Sequence, residues 1–142
     1  MIGVTNELVT ALQFARSEAV KRNNNVTICI SDDGAACTGG ASWEDGWIVF
    51  DDVNANAVVD GAQIVRTHSQ IGGGNTLRVT AGNAGNFISF NGNGFPRDTA
   101  GGILTATFSI CDSRGATAGV ARTVQVGASG RVRSSEVITS CT

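Results

Sequence analysis

The stretch NELVTALQFARSEAVKRNNNVTICIS, residues 6–31, changes its hydrophobic period partway along. Val4, just ahead of it, then Leu8, Ala11, Leu12, Ala15 and Ala19 follow the i, i+3, i+4, i+7 spacing of one helix face. Thr10, Gln13 and Ser17 fall on the opposite face. The apolar face is mostly alanine and leucine, which allows close approach to a sheet. Lys21 and Arg22 sit where cations suit the helix dipole. Asn23-Asn24-Asn25 then predicts the stop. From Val26 the period becomes two: Val26, Ile28 and Ile30 share one face, and Thr27, Cys29 and Ser31 the other.

Strand-like runs continue downstream at 46–50, 62–68, 76–80, 86–90, 103–110, 119–126 and 131–138, separated by turn signals such as GGGN, GNAGN and NGNG. One amphipathic helix followed by many short strands predicts an α+β fold, with the helix laid over antiparallel β-sheet. The 142 residues, 42 % of them hydrophobic, suit a single domain, a helical segment 1–25 leading into a β-rich head 26–142. Nineteen glycines against one proline fit a turn-rich chain. No run approaches the ~20 apolar residues of a membrane helix, so the expectation is a soluble chain that begins at a helix.

Cys29, Cys37, Cys111 and Cys141 match neither CxxC nor zinc-finger spacing. Their even number suits an oxidising compartment. Of three connectivities, Cys29–Cys37, closing a local loop, and Cys111–Cys141, tying the C-terminus to a strand, are favoured over buried free thiols. No metal and no cofactor is expected. The segment DDVNANAVVD, 51–60, places Asp52, Asn54, Asn56 and Asp60 at alternate positions, as a calcium loop does. However, its sixth position is Ala57 and its twelfth is Gln63, where glycine and glutamate belong. An Asn/Asp-rich turn accounts for the same residues.

Catalysis lacks a constellation. His68, the sole histidine, ends a strand-like run with no nucleophile motif near it. GGGNTLRV has no GK[ST], and no GxGxxG joins a strand to a helix. The protein is therefore read as a non-enzyme.

Charge is uneven along the chain. Net charge is −2, with a pI of about 5.2, yet residues 32–60 hold seven acids and no base. Residues 113–135 hold Arg114, Arg122, Arg131 and Arg133 and no acid. If 119–126 and 131–138 form a hairpin through Gly127-Ala128-Ser129-Gly130, Arg131 and Arg133 project from one face while Val132 faces the core and Glu136 points away. Guanidinium forks a strand repeat apart lie about 6.5–7 Å from each other, near the spacing of phosphates on an extended strand. Such a pair follows a backbone without reading bases. The alternative is that the two arginines only keep a hairpin edge soluble.

Taken together, NELVTALQFARSEAVKRN, VTICISDDGAAC, WEDGWIVFDD, CDSRG and SGRVR ahead of a terminal cysteine resemble the minor type IV pilins of the FimT/FimU (GspH-like) family, over nearly the whole chain. The resemblance implies a pilin fold, a leader and hydrophobic half-helix that this sequence lacks, and a place at the pilus tip of a Gram-negative cell. Before assembly it implies the inner membrane and periplasm, with other minor and major pilins as partners. FimT-type members are associated with DNA uptake in natural transformation and carry a G-R-x-R element, which falls here on Gly130, Arg131, Val132 and Arg133. The resemblance thus implies sequence-independent DNA binding by Arg131 and Arg133, with Arg122 or Arg114 extending the patch; Arg114 also has Asp112 as a competing partner. FimU-type members imply the alternative, a structural subunit that primes or caps the pilus.

Overall fold

In a computed structural model, residues 2–38, 42–52, 57, 59, 64–71, 76–82, 85–99, 101–111 and 122–135 are described. Helix α1 (Ile2–Arg22) precedes strands β1 (Val26–Ile30), β2 (Trp47–Asp51), β3 (Ile64–His68), β4 (Thr76–Gly82), β5 (Phe87–Phe90), β6 (Pro96–Arg97), β7 (Ala106–Cys111), β8 (Arg122–Val126) and β9 (Val132–Ser135). They form two antiparallel sheets, one in the order β3-β2-β1-β5-β6 and one in the order β4-β7-β8-β9. No helix among the described residues is long and apolar enough to cross a membrane.

The helix ends as its asparagines require. Asn23 takes φ 52°, a left-handed conformation that asparagine tolerates. The Asn23 and Asn24 N–H groups then donate to the Val20 and Ala19 carbonyls at 3.2 and 3.1 Å, closing the last turn. Of the expected apolar face, Leu8, Ala11, Leu12, Ala15 and Ala19 are buried, together with Thr5, while the Val4 side chain is outside those described. They pack on Val26, Ile28, Val49, Ile88 and Phe90 of the first sheet and on Phe108, Ile110, Val124 and Val126 of the second, in one core. A stripe of small residues thus lets one helix cover two sheets.

The alternation in β1 does not separate core from solvent, because all five of its residues are buried. Cys29 on the second face joins Ile48 and Phe50 in a smaller cluster, against which Cys37, Val59, Ile64 and Phe87 pack. Cys29 and Cys37 are disulfide-bonded with Cα atoms 5.7 Å apart, as the spacing predicts. Cys111 is also disulfide-bonded, while the expected pairing with Cys141 involves a residue outside those described.

The sheets are joined at one corner by a 3-10 turn, Trp43–Asp45, that the periodicity does not reveal. Trp43 is buried edge-on to Phe108 at 5.1 Å, and its indole N–H donates to the Gly85 carbonyl at 3.0 Å. Glu44 accepts from the Leu77 N–H at 3.1 Å and pairs with Arg78 at 2.7 Å. Burial alone would raise the Glu44 carboxyl, but the Arg78 and Leu77 hydrogen bonds and the Arg78 charge outweigh it and hold the group below its ordinary value.

Several strand boundaries differ from those expected. Strand β7 begins at Ala106 and not at Ile103, which makes only an isolated bridge to Arg97. Strand β9 begins at Val132, because the Arg131 carbonyl is used inside the preceding turn.

Candidate nucleic-acid interface

The turn between β8 and β9 is built by its glycines. The Gly130 N–H donates to the Gly127 carbonyl at 2.9 Å, and the Gly127 N–H to the Arg131 carbonyl at 3.0 Å. Gly130 takes φ 86°, which turns the chain into β9 and which side-chain-bearing residues rarely adopt. A Cβ at this position would lie 2.2 Å from the Gly94 carbonyl oxygen and 2.7 Å from the Arg16 guanidinium. Arg16 in turn donates to that same Gly94 carbonyl at 3.0 Å. The hairpin tip is therefore seated on the helix by contacts that leave no room for a side chain.

Register then sets directions. Val126 pairs with Val132 on the inward face, where Val124 and Val126 are buried and Val132 packs against the core. Gln125 pairs with Arg133 on the outward face, and Arg131 and Arg133 are both exposed. Together they line one cleft of about 440 Å³ with Thr107, Gln125 and Ser129. Arg131 also borders a second cleft of about 610 Å³, walled by Gln13, Arg16, Ser17 and Lys21 of α1. Among the described residues, neither lining contains an acid. Glu136, expected to point away, is outside the described residues.

The other described arginines have partners. Arg22 pairs with Glu18 at 3.1 Å and Asp51 at 3.4 Å, and Arg78 with Glu44. Arg16 and Arg97 donate to carbonyls, and Arg66 lies 3.9 Å above the Phe14 ring. Arg131 and Arg133 make no ion pair or hydrogen bond among the described residues, so their side-chain donors remain open to a ligand. An exposed guanidinium pair with no internal acceptor is suited to a polyanion.

Arg122 does not extend this pair. It opens β8 at the end far from the turn, shares parity with Val124 and Val126, and has interactions of its own. Its backbone lies about 10 Å along the ladder from Arg133, with its side chain on the other face. Arg114 is outside the described residues. No sequence motif marks Lys21, Gln13 and Ser17 as ligand groups. Their only local signal is that they lie on the helix face away from the core.

The remaining polar candidates serve the fold. His68 places Nε2 2.9 Å from a Glu7 carboxylate oxygen and stacks on Trp47 with ring centroids 4.2 Å apart, tying β3 to α1. Asp52, the first oxygen of the calcium-like spacing, is buried. It accepts from the Thr27 hydroxyl at 2.8 Å and the Ala57 N–H at 2.9 Å. This is the side-chain to backbone bonding of an Asx-rich turn; Asn54, Asn56 and Asp60 lie outside the described residues.

The fold is similar to two crystal structures of the type IV minor pilin FimU from Pseudomonas aeruginosa. One is 25 % identical, with a TM-score of 0.66, over 92 % of this chain and 84 % of that one. The other is 23 % identical, with a TM-score of 0.67, over 95 % and 92 %. No curated protein matches. A family model described as type II transport protein GspH matches residues 4–130. That match ends at Gly130, so it speaks for the helix and both sheets but leaves Arg131 and Arg133 to be judged on their own geometry. With most of its length matched, and one helix packed on antiparallel sheets as in FimU, the chain belongs to the GspH family and has the type IV pilin-like fold.

Proposed function

We propose that this protein is a minor pilin that binds DNA without sequence preference, through the phosphate backbone, with Arg131 and Arg133 as the principal contacts. The observation that carries this reading is the exposed, acceptor-free pair on one cleft wall, in a molecule whose other described arginines have partners. Gly130 supports the same element by seating the turn against Gly94 and Arg16. Contacts of this kind are weak singly and steeply salt-dependent, and gain strength by repetition along a filament. Capture of extracellular DNA during natural transformation, at the tip of a pilus built with other pilins, is the role that fits. The inner membrane and periplasm precede it before assembly.

A second reading, a structural minor pilin that primes or caps a pilus without touching DNA, is favoured by the likeness to FimU and by the net charge of −2. Titration of a labelled duplex into the wild type and Arg131→Gln/Arg133→Gln at two salt concentrations separates them. DNA binding predicts at least a tenfold loss at low salt and a salt slope smaller by about 1.8, two phosphate contacts' worth. No binding by the wild type, or equal binding by both proteins, leaves the structural reading.

A further inference from the structure

We infer that α1 supplies the second wall of the DNA track: the backbone leaving Arg131 enters the groove between α1 and the β8–β9 turn, where Lys21 holds the next phosphate and Gln13 and Ser17 add hydrogen bonds. This rests on the DNA-binding reading of Arg131 and Arg133 and extends it to a different element.

The groove, about 610 Å³, is lined from the helix by Gln13, Arg16, Ser17, Val20 and Lys21, and from the turn by Arg131 and its neighbours. Residues 13, 17, 20 and 21 stand at i, i+4, i+7 and i+8, one outward face about 12 Å long, room for about two phosphates of an extended strand. Arg131 borders this groove and also the cleft it shares with Arg133, so a continuous path passes over it. Among the described residues the lining holds three cations and no acid, and its apolar part is Val20, 51 % exposed, with Val132. Arg16 uses its Nε on the Gly94 carbonyl and positions the wall. Lys21 is 77 % exposed, with Glu18 at 3.9 Å as its partner, and Glu18 sits closer to Arg22, at 3.1 Å. The ammonium is therefore lightly held and available to a phosphate.

The test is a fluorescence titration of a short labelled duplex of mixed sequence into the whole chain, as wild type, Lys21→Gln, Lys21→Arg, Ser17→Glu and Arg131→Gln/Arg133→Gln, across a salt series. Lys21→Gln is expected to weaken binding several-fold and to lower the salt slope by about 0.9, and Lys21→Arg to keep both near wild type. Ser17→Glu, placing a carboxylate in the groove, is expected to weaken binding at least as much. All the side chains changed are exposed, and an unchanged melting midpoint verifies that the fold is intact. Wild-type affinity and slope in Lys21→Gln and Ser17→Glu, alongside lost binding in the double arginine variant, overturns the helix wall and spares the hairpin site. Absence of binding by the wild type at low salt overturns both.

Discussion

The molecule carries opposite charge in two clefts, and the two are occupied differently. The acidic one, lined by Asp32, Asp33, Asp45 and the His68 end of β3, uses much of its charge internally. Asp33 accepts from the Ala35 and Ala36 N–H groups at 2.8 and 3.0 Å and from the Ser31 hydroxyl at 3.1 Å, and these bonds, the backbone ones foremost, hold its carboxyl below the ordinary value. Asp45 accepts from the Ser42 N–H at 2.9 Å. The basic hairpin leaves Arg131 and Arg133 with no internal acceptor among the described residues. Charge marks both ends, while unused hydrogen-bonding capacity singles out the basic one.

The sharpest way to break this contrast is to unseat the hairpin. Gly130→Ala forces a left-handed residue to carry a Cβ into the Gly94 carbonyl and the Arg16 guanidinium. It is expected to destabilise the fold by about 2–3 kcal/mol in urea unfolding, and to weaken DNA binding in whatever fraction remains folded. An unchanged midpoint would mean that the seat yields. At the acidic end, Cys29→Ser/Cys37→Ser opens the short loop that carries Asp32 and Asp33 and is expected to cost roughly 2–3 kcal/mol by the chain-entropy model. It should leave DNA affinity at the distant hairpin as it was.

A smaller effect is expected at the corner between the sheets. Glu44→Gln removes the charge that pairs with Arg78 and should cost about 1 kcal/mol at neutral pH, since the half-exposed Arg78 is screened by water. Because the folded carboxyl lies below its ordinary value, its contribution is present above that ordinary value and is lost as pH falls through the lowered one. Melting midpoints measured from neutral to acidic pH should fall less steeply in Glu44→Gln than in the wild type.

Much of this was legible from local pattern. The helix face Leu8, Ala11, Leu12, Ala15 and Ala19, the switch of period at Val26 and the Cys29–Cys37 loop all depend on neighbours close in the chain, and the structure has each of them. The parity of Arg131, Val132 and Arg133 is local in the same way. Nearness in sequence does not say which end or face of β8 Arg122 occupies; the register sets it opposite Ile110, away from the turn that carries Arg131. The 3-10 turn at Trp43 leaves no mark in the local pattern because three residues carry no period, and its place is set by Phe108 and Gly85 far along the chain.

The sequence by itself thus determined the kind of elements, their order and the outward side of the hairpin on which Arg131 and Arg133 stand, since period and turn chemistry act over a few residues. Only the tertiary structure decided that the described strands divide into two sheets under one helix, and that Gly130 abuts Gly94 and Arg16. It also decided which arginines have partners and which remain open, and that Lys21 lines the groove beside Arg131. Each of these depends on groups brought together from distant parts of the chain by burial of the common core, and no local pattern encodes such encounters.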